Sequence, residues 1–293
     1  MAARTKGTGS PKNARQTSSG RLYEWRSPDA GIGDPPERFW SVTTILKGGL
    51  PSPALTAWGM KAVAEYAVAN HAQLTSMLQT VRVRRTDQGG MLLVTDPDAV
   101  QAAIDWLKGS PYRERDRKAD IGTAVHQAAE AHILGKPWPT PADDVAPYVD
   151  QFRRFVTDFE PEFELAEASV YNRTEAYAGT LDAIAVIPGR GRALIDFKTT
   201  GKGVYPEHAL QLAMYRYAEF IGLPDGTEAP MPAVDGCAVL WLAPDTYELV
   251  PVTADEVVFT AAKYVRETFR WQEELSKNVV GKPLPVPTKE VAA

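Results

Sequence analysis

The 293 residues, 44% of them hydrophobic, suffice for one large domain or two small ones with a substantial core. A net charge of −5 excludes a surface coated in basic residues, although phosphate contact needs only a local basic patch. No apolar run approaches the roughly 18 residues that span a bilayer, no signal-peptide pattern is visible, and the single cysteine, Cys237, excludes an internal disulfide or a cysteine-held iron–sulfur cluster.

A soluble, cytoplasmic protein without a membrane partner is therefore expected. Residues 1–20 read as a disordered basic tail. Arg4, Lys6, Lys12 and Arg15, with Arg21 just beyond, all precede the first acid, Glu24, so the segment is a solvated tail or a DNA-contacting arm. Residues 21–110 read as an accessory N-terminal region. Short extended segments are expected at Leu22–Trp25 and Phe39–Val42, then a helix from Pro53 to about Asn70. A hairpin follows, with Val81–Arg84 and Met91–Val94 on either side of Asp87-Gln88-Gly89-Gly90.

Residues 111–278 read as the core. A helical stretch opens at Asp96, an N-cap followed by Pro97, and runs with interruptions to Glu160. Strands are expected at Phe163–Tyr171, Ala178–Ile187 and Arg192–Thr199, with Pro188-Gly189-Arg190-Gly191 as the turn between the last two. Both alternating sets of Leu181–Ile187 and Ala193–Phe197 are largely apolar, which predicts strands covered on both faces and an α/β sandwich. A helix from about Tyr205 to Ile221, strands at Ala238–Leu242 and Glu248–Val252, and a final helix opened by a Thr253/Glu256 capping box complete the core. Cys237 reads as a small hydrophobe entering a buried strand. Residues 279–293, with Pro283, Pro285 and Pro287, read as a flexible tail.

The chemistry concentrates in four segments. In Asp196-Phe197-Lys198, strand periodicity places the carboxylate and the ammonium on one face. Alone that pattern is an ordinary ion pair. Asp182, in Gly179-Thr180-Leu181-Asp182, lies about as far from the turn as Asp196 does, so a hairpin brings the two carboxylates together, and a cation between them relieves their repulsion. Magnesium suits such an oxygen-rich site. Gly122-Thr123-Ala124-Val125-His126 lies in a helix with Glu130 on the face of His126, whereas His132 is about 240° round, which argues against a two-histidine zinc-protease arrangement. Gln211 and Tyr215 share one face of a later helix.

In this order, G-T-A-V-H, G-T-L-D, D-F-K-T-T and Q-L-A-M-Y resemble the RecB-like exonuclease branch of the PD-(D/E)XK nuclease superfamily, in its phage-type form. The resemblance spans Gly122 to Phe220; Ser41-Val42-Thr43-Thr44-Ile45-Leu46 adds a looser similarity to phage-type members. It implies a restriction-endonuclease-like core, a central mixed sheet flanked by helices. It further implies that His126, Asp182, Asp196 and the Phe197 carbonyl bind magnesium or manganese and that Lys198 is catalytic, with Glu130, Thr180, Thr199, Gln211 and Tyr215 in support. Unlike several relatives, such as the CRISPR-adaptation and helicase-linked nucleases, the chain lacks the four cysteines of an iron–sulfur cluster. Thr199-Thr200-Gly201-Lys202 has no upstream glycine at the spacing of a nucleotide-binding P-loop.

The expected activity is metal-dependent DNA cleavage, by an exonuclease of recombination, repair or replication, on single- or double-stranded DNA, alongside a recombinase, single-strand-binding protein or helicase. DNA contact is assigned to Arg113, Arg115, Arg117 and Lys118, which lead into the His126 helix, although Glu114 and Asp116 dilute that patch. Two other classes fit parts of the pattern. A DNA-binding module that no longer cleaves would tolerate loss of the His-Asp-Asp-Lys set, and a hydrolase of small phosphoesters would turn over mononucleotides without basic patches.

Overall fold

The computed structural model describes residues 13–284, except 32, 88 and 200–202 and the side chains of 54, 114 and 115. Residues 1–12 of the basic tail and 285–293 of the C-terminal tail, with Pro285 and Pro287, lie outside the described residues, as does the side chain of Arg115. Two compact units emerge. One comprises residues 1–51 and 125–293, the other residues 52–124.

The first unit opens with strands β1 (Ala14–Thr17), β2 (Gly20–Trp25) and β3 (Glu37–Ser41), joined as an antiparallel meander. Ser41 then caps helix α1 (Val42–Gly49), its hydroxyl accepting the Thr44 N–H at 3.0 Å. Val42, Ile45, Leu46 and Gly49 recur at helical spacing and are buried, so α1 holds its apolar stripe against the core.

The second unit contains α2 (Pro53–Ala69), α3 (His71–Leu78), the hairpin β4 (Val81–Arg85) and β5 (Met91–Thr95), and α4 (Pro97–Lys108), capped by the Asp96 carboxylate. Helix α5 (Ser110–Ile133) begins in this unit and supplies Val125 onward to the first. The Arg113 guanidinium lies 5.0 Å from the Tyr66 ring, and Tyr66 lies 4.9 Å from Trp106.

The chain then forms α6 (Ala146–Phe159), the long strands β6 (Glu162–Asn172), β7 (Tyr177–Ile187) and β8 (Gly191–Lys198), and α7 (Glu207–Arg216). Strands β9 (Phe220–Gly222), β10 (Glu228–Pro230), β11 (Gly236–Leu242) and β12 (Tyr247–Val252) precede α8 (Glu256–Glu273) and a short 3-10 turn, Leu275–Asn278. The result is an α/β unit with a mixed sheet flanked by helices. Strand β3 runs parallel to β7 and β11 parallel to β8, while the remaining pairings are antiparallel.

Strand β7 organises this sheet. One edge pairs along almost its whole length with β6. The other edge is divided: Tyr177 and Ala178 pair with β3, Ala183 to Ile187 pair with β8, and Gly179-Thr180-Leu181-Asp182 faces the fork where these two partners part. Leu181, Ala183, Ile184 and Ala185 are fully buried, as expected for strands covered on both faces, and Cys237 is buried with them.

Several expectations require correction. Residues to Gly20 are not all tail, because Ala14–Thr17 pairs with Gly20–Tyr23 as a strand. Residues 21–49, expected in an accessory region, belong to the unit of the large sheet, where the parallel β3–β7 ladder anchors them. The helix expected to reach Ile221 ends at Arg216, because Phe220 and Ile221 are drawn into antiparallel pairing with Tyr171 and Val170. Gly222 sits in that strand, against the Trp25 and Tyr171 rings, where an added Cβ would lie within 2.6 Å and 2.9 Å of ring carbons. The last helix is capped by the Asp255 carboxylate, which accepts the Val258 N–H at 3.0 Å, in place of Thr253.

Arg173, in the β6–β7 turn, joins distant strands of the sheet, β3 and β10. Its guanidinium donates to Glu37 at 2.9 Å and to Glu228 at 2.6 Å, and lies 4.3 Å from the Phe220 ring centroid. Glu228 also accepts the Trp25 indole N–H at 2.8 Å. Removing the arginine leaves two carboxylates facing each other across a half-buried gap. Arg173→Ala is expected to lower unfolding free energy by about 1–2 kcal/mol, a charge-assisted pair discounted for partial exposure. Urea denaturation checks this, and an unchanged midpoint would show that the network contributes nothing.

Candidate metal centre

The fork leaves the end of β8 without a β7 backbone partner, and a side chain takes that place. Asp182 Oδ2 accepts the Phe197 N–H at 2.6 Å. The register of the last ladder pair, Ala183–Ile195, continued by one step sets Asp182 opposite Asp196. Both carboxylates are buried, Asp196 at 1% exposure. The sequence-based pairing of these two acids across the hairpin is thus what the strand register gives.

Asp196 has its own partners. Gln211 donates to Oδ1 at 2.7 Å, and the Lys198 ammonium forms an ion pair with Oδ2 at 2.7 Å. Gln211 also donates to the Tyr215 hydroxyl at 3.3 Å. The Tyr215 ring fits over Gly179, where an added Cβ would lie 2.4 Å from a ring carbon, so the glycine of G-T-L-D lets α7 into the fork. Thr180 points elsewhere along the chain, pairing its hydroxyl with that of Tyr23 at 2.9 Å. Thr199 follows the end of β8 and is half-buried.

His126 enters from α5. Its Nε2 lies 3.2 Å from the Phe197 carbonyl, and its Nδ1 lies 3.3 Å from Glu167 Oε1 and 3.5 Å from Asp182 Oδ1. Glu167 is the residue that the sequence reading missed. It stands opposite Asp182 between the ladder pairs Ala166–Ala183 and Ala168–Leu181, with a φ of 47°, a left-handed conformation that a glutamate inside a strand adopts at a cost. One signal for it was in the sequence: a carboxylate between Ala166 and Ala168, in the strand preceding G-T-L-D.

Among the described residues, His126, Glu167 and Asp182 each offer a ligand atom within 4.8 Å of the others. Asp196 lies outside that trio, held by Lys198 and Gln211. Glu130, one turn beyond His126, is buried and its Oε1 has no hydrogen-bond partner. Burial and the nearby Glu167 push its pKa upward.

The charges are strongly interdependent. Burial raises Asp182 to about 7, with Asp196 and Glu167 adding to the rise and His126 and Lys198 opposing it. Burial alone would lower His126, but Asp182 and Glu167 outweigh it and raise its pKa to about 9. Lys198 is likewise held above its ordinary value, because Asp196 and Asp182 outweigh its burial. An imidazolium thus serves as the internal counter-cation among these carboxylates. The donor set, carboxylate oxygens with one imidazole and one carbonyl, fits a hard divalent cation such as magnesium or manganese. Cys237, the single cysteine, is free and buried.

Of the residues assigned to DNA contact, Arg113 is engaged within its own unit, donating to the Trp106 carbonyl at 3.1 Å. Arg117 and Lys118 are exposed on α5 and have partners of their own.

A pH dependence follows for protein kept in chelator. The raised pKa of His126 contributes stability that is complete below its ordinary 6.5 and is lost as pH rises through about 9. Asp182 acts in the same direction, its contribution being lost as pH rises from 3.8 through about 7. The melting temperature should therefore fall between about pH 6.5 and 9, and His126→Gln should flatten this fall. Equal slopes for parent and variant across that window would remove the counter-cation role.

No family model matches the sequence, and no curated protein matches it. Among solved structures, the crystal structure of SSO0001 is similar over 54% of this chain and 72% of its own, at 16% identity and a TM-score of 0.27, a superposition too loose to carry an argument.

Proposed function

We propose that the chain is a magnesium- or manganese-dependent deoxyribonuclease, acting as an exonuclease in DNA recombination, repair or replication. The observation that carries this reading is the convergence of His126, Glu167, Asp182 and the Asp196–Lys198 pair where β7 and β8 part. The order of motifs that resembles RecB-like PD-(D/E)XK nucleases supports it, as does the mixed sheet flanked by helices. In this reading the sheet is a restriction-endonuclease-like core.

A divalent cation would be held by His126, Asp182, Asp196 and the Phe197 carbonyl, with Glu167 added to that set. When bound, it supplies Lewis acidity, lowering the pKa of a water and neutralising charge that builds on the scissile phosphate. The chain's own groups do the rest. Asp182 fixes the backbone at Phe197 by accepting its N–H, which orients the Phe197 carbonyl towards His126. Gln211 fixes the Asp196 carboxylate, and Asp196 in turn holds the Lys198 ammonium. Lys198 places a permanent positive charge beside the reacting phosphate, where it orients the attacking water and stabilises the transition state.

Lys198 separates cleavage from metal assembly. Lys198→Ala should retain metal and DNA binding while cleaving end-labelled DNA at least ~100-fold more slowly in single-turnover assays, the scale of one lost transition-state stabiliser. Asp182→Asn should lose metal binding and cleavage together. Full cleavage by the parent in excess chelator, or near-parental cleavage by Lys198→Ala, would overturn the mechanism.

A further inference from the structure

The β4–β5 hairpin of the second unit is a surface that no part of this mechanism uses. Its register, Val83 opposite Leu93 and Arg85 opposite Met91, sorts its side chains cleanly. Val81, Val83, Arg85, Met91, Leu93 and Thr95 share one face; Arg82, Arg84, Leu92 and Val94 share the other. The first face is aliphatic and open. Val83, Met91 and Leu93 are 62%, 77% and 68% exposed. A two-stranded ribbon with such a face gains little from folding against itself, and contiguous exposed apolar surface marks a contact site.

The charge on the ribbon identifies what it contacts. Arg82 is held near the base of the hairpin by Asp96 and Asp98, each at 2.7 Å. Arg84 and Arg85, next to the turn, are exposed and have no carboxylate partner among the described residues. They point to opposite faces, so the end of the ribbon carries a cation on each side. In a chain whose net charge is −5, Arg85 beside the aliphatic strip and Arg84 on the other face of the ribbon outnumber Asp87 in the turn, a local positive charge matched to a polyanion with apolar surface.

From this we infer that the β4–β5 hairpin is a duplex-DNA-binding ribbon that lies in a groove, with Met91, Leu93 and Val83 against sugars and base edges and Arg84 and Arg85 on the flanking phosphates. The inference rests on the nuclease reading for its substrate. A two-stranded ribbon fits a DNA groove, and aliphatic side chains there contact and wedge the duplex without needing donors. Val83, Met91 and Leu93 offer no hydrogen-bonding group to base edges, so their contacts carry little sequence preference.

The test uses full-length protein, a short fluorescent duplex in two unrelated sequences, and excess chelator, so that binding is read without cleavage. Arg84→Gln with Arg85→Gln should weaken binding at least tenfold and reduce the slope of log affinity against log salt by roughly 2, one unit for each lost phosphate contact. Met91→Ser with Leu93→Ser should weaken binding to both sequences and leave the slope unchanged. Lys277→Gln with Lys282→Gln, which removes the same charge elsewhere, should leave both quantities at parental values. Circular dichroism confirms that each variant is folded. Parental affinity and slope in both hairpin variants would overturn the inference. So would a hairpin variant that changes the oligomeric state and not DNA affinity, which would make the ribbon a protein interface. A parent that binds DNA through Arg84 and Arg85 but cleaves none with magnesium or manganese would support the ribbon and refute the nuclease reading.

Discussion

The site depends on a division in one sheet edge. Strand β7 gives the first part of that edge to β3 and the last part to β8, and the backbone of β8 beyond Ile195 therefore loses its antiparallel partner. An unpaired buried N–H is costly, and here the Asp182 carboxylate supplies the missing acceptor. The substitution does two things together. It lets β8 continue beside β11, with Asp196, Phe197 and Lys198 paired to Val239, Leu240 and Trp241, and it brings a second carboxylate to Asp196.

Burying several carboxylates in one place demands positive charge. Lys198 supplies one permanent cation at Asp196, and His126 becomes a second by binding a proton among Glu167 and Asp182. Burial, reinforced by Asp196 and Glu167, holds the Asp182 pKa above the usual carboxylate range even against the opposing charges of His126 and Lys198. A divalent ion supplies more positive charge than the His126 proton it would displace, since a histidine that ligates metal must give up its proton. Metal binding is therefore linked to proton release from His126 in this account. Helix α7 makes the arrangement rigid, since Tyr215 seats over Gly179 and Gln211 spans from Tyr215 to Asp196.

The centre of this arrangement was legible because it is local in sequence. A short turn fixes the β7–β8 register, so the convergence of Asp182 and Asp196 follows from counting residues, and helix periodicity places Gln211 with Tyr215. Glu167 was less legible because its role depends on a left-handed residue inside a strand, which period-two counting does not anticipate. The extent of the sheet was harder still. Residues 20–49 join it through a parallel pairing with a strand more than a hundred positions away, and Phe220–Ile221 abandons helical pattern for an edge of β6. Such choices are decided by tertiary pairing, which local propensity does not encode.

The central claim is that the histidine and the carboxylates at the β7–β8 fork form one divalent-cation site. Electron spin-echo spectroscopy of the full-length protein with stoichiometric manganese tests it most directly, because it detects magnetic coupling between the ion and a ligating imidazole nitrogen. The account predicts one bound manganese with nitrogen coupling that disappears in His126→Gln, and no bound manganese in Asp182→Asn. Manganese bound without imidazole coupling, or bound equally by parent and Asp182→Asn, would contradict it.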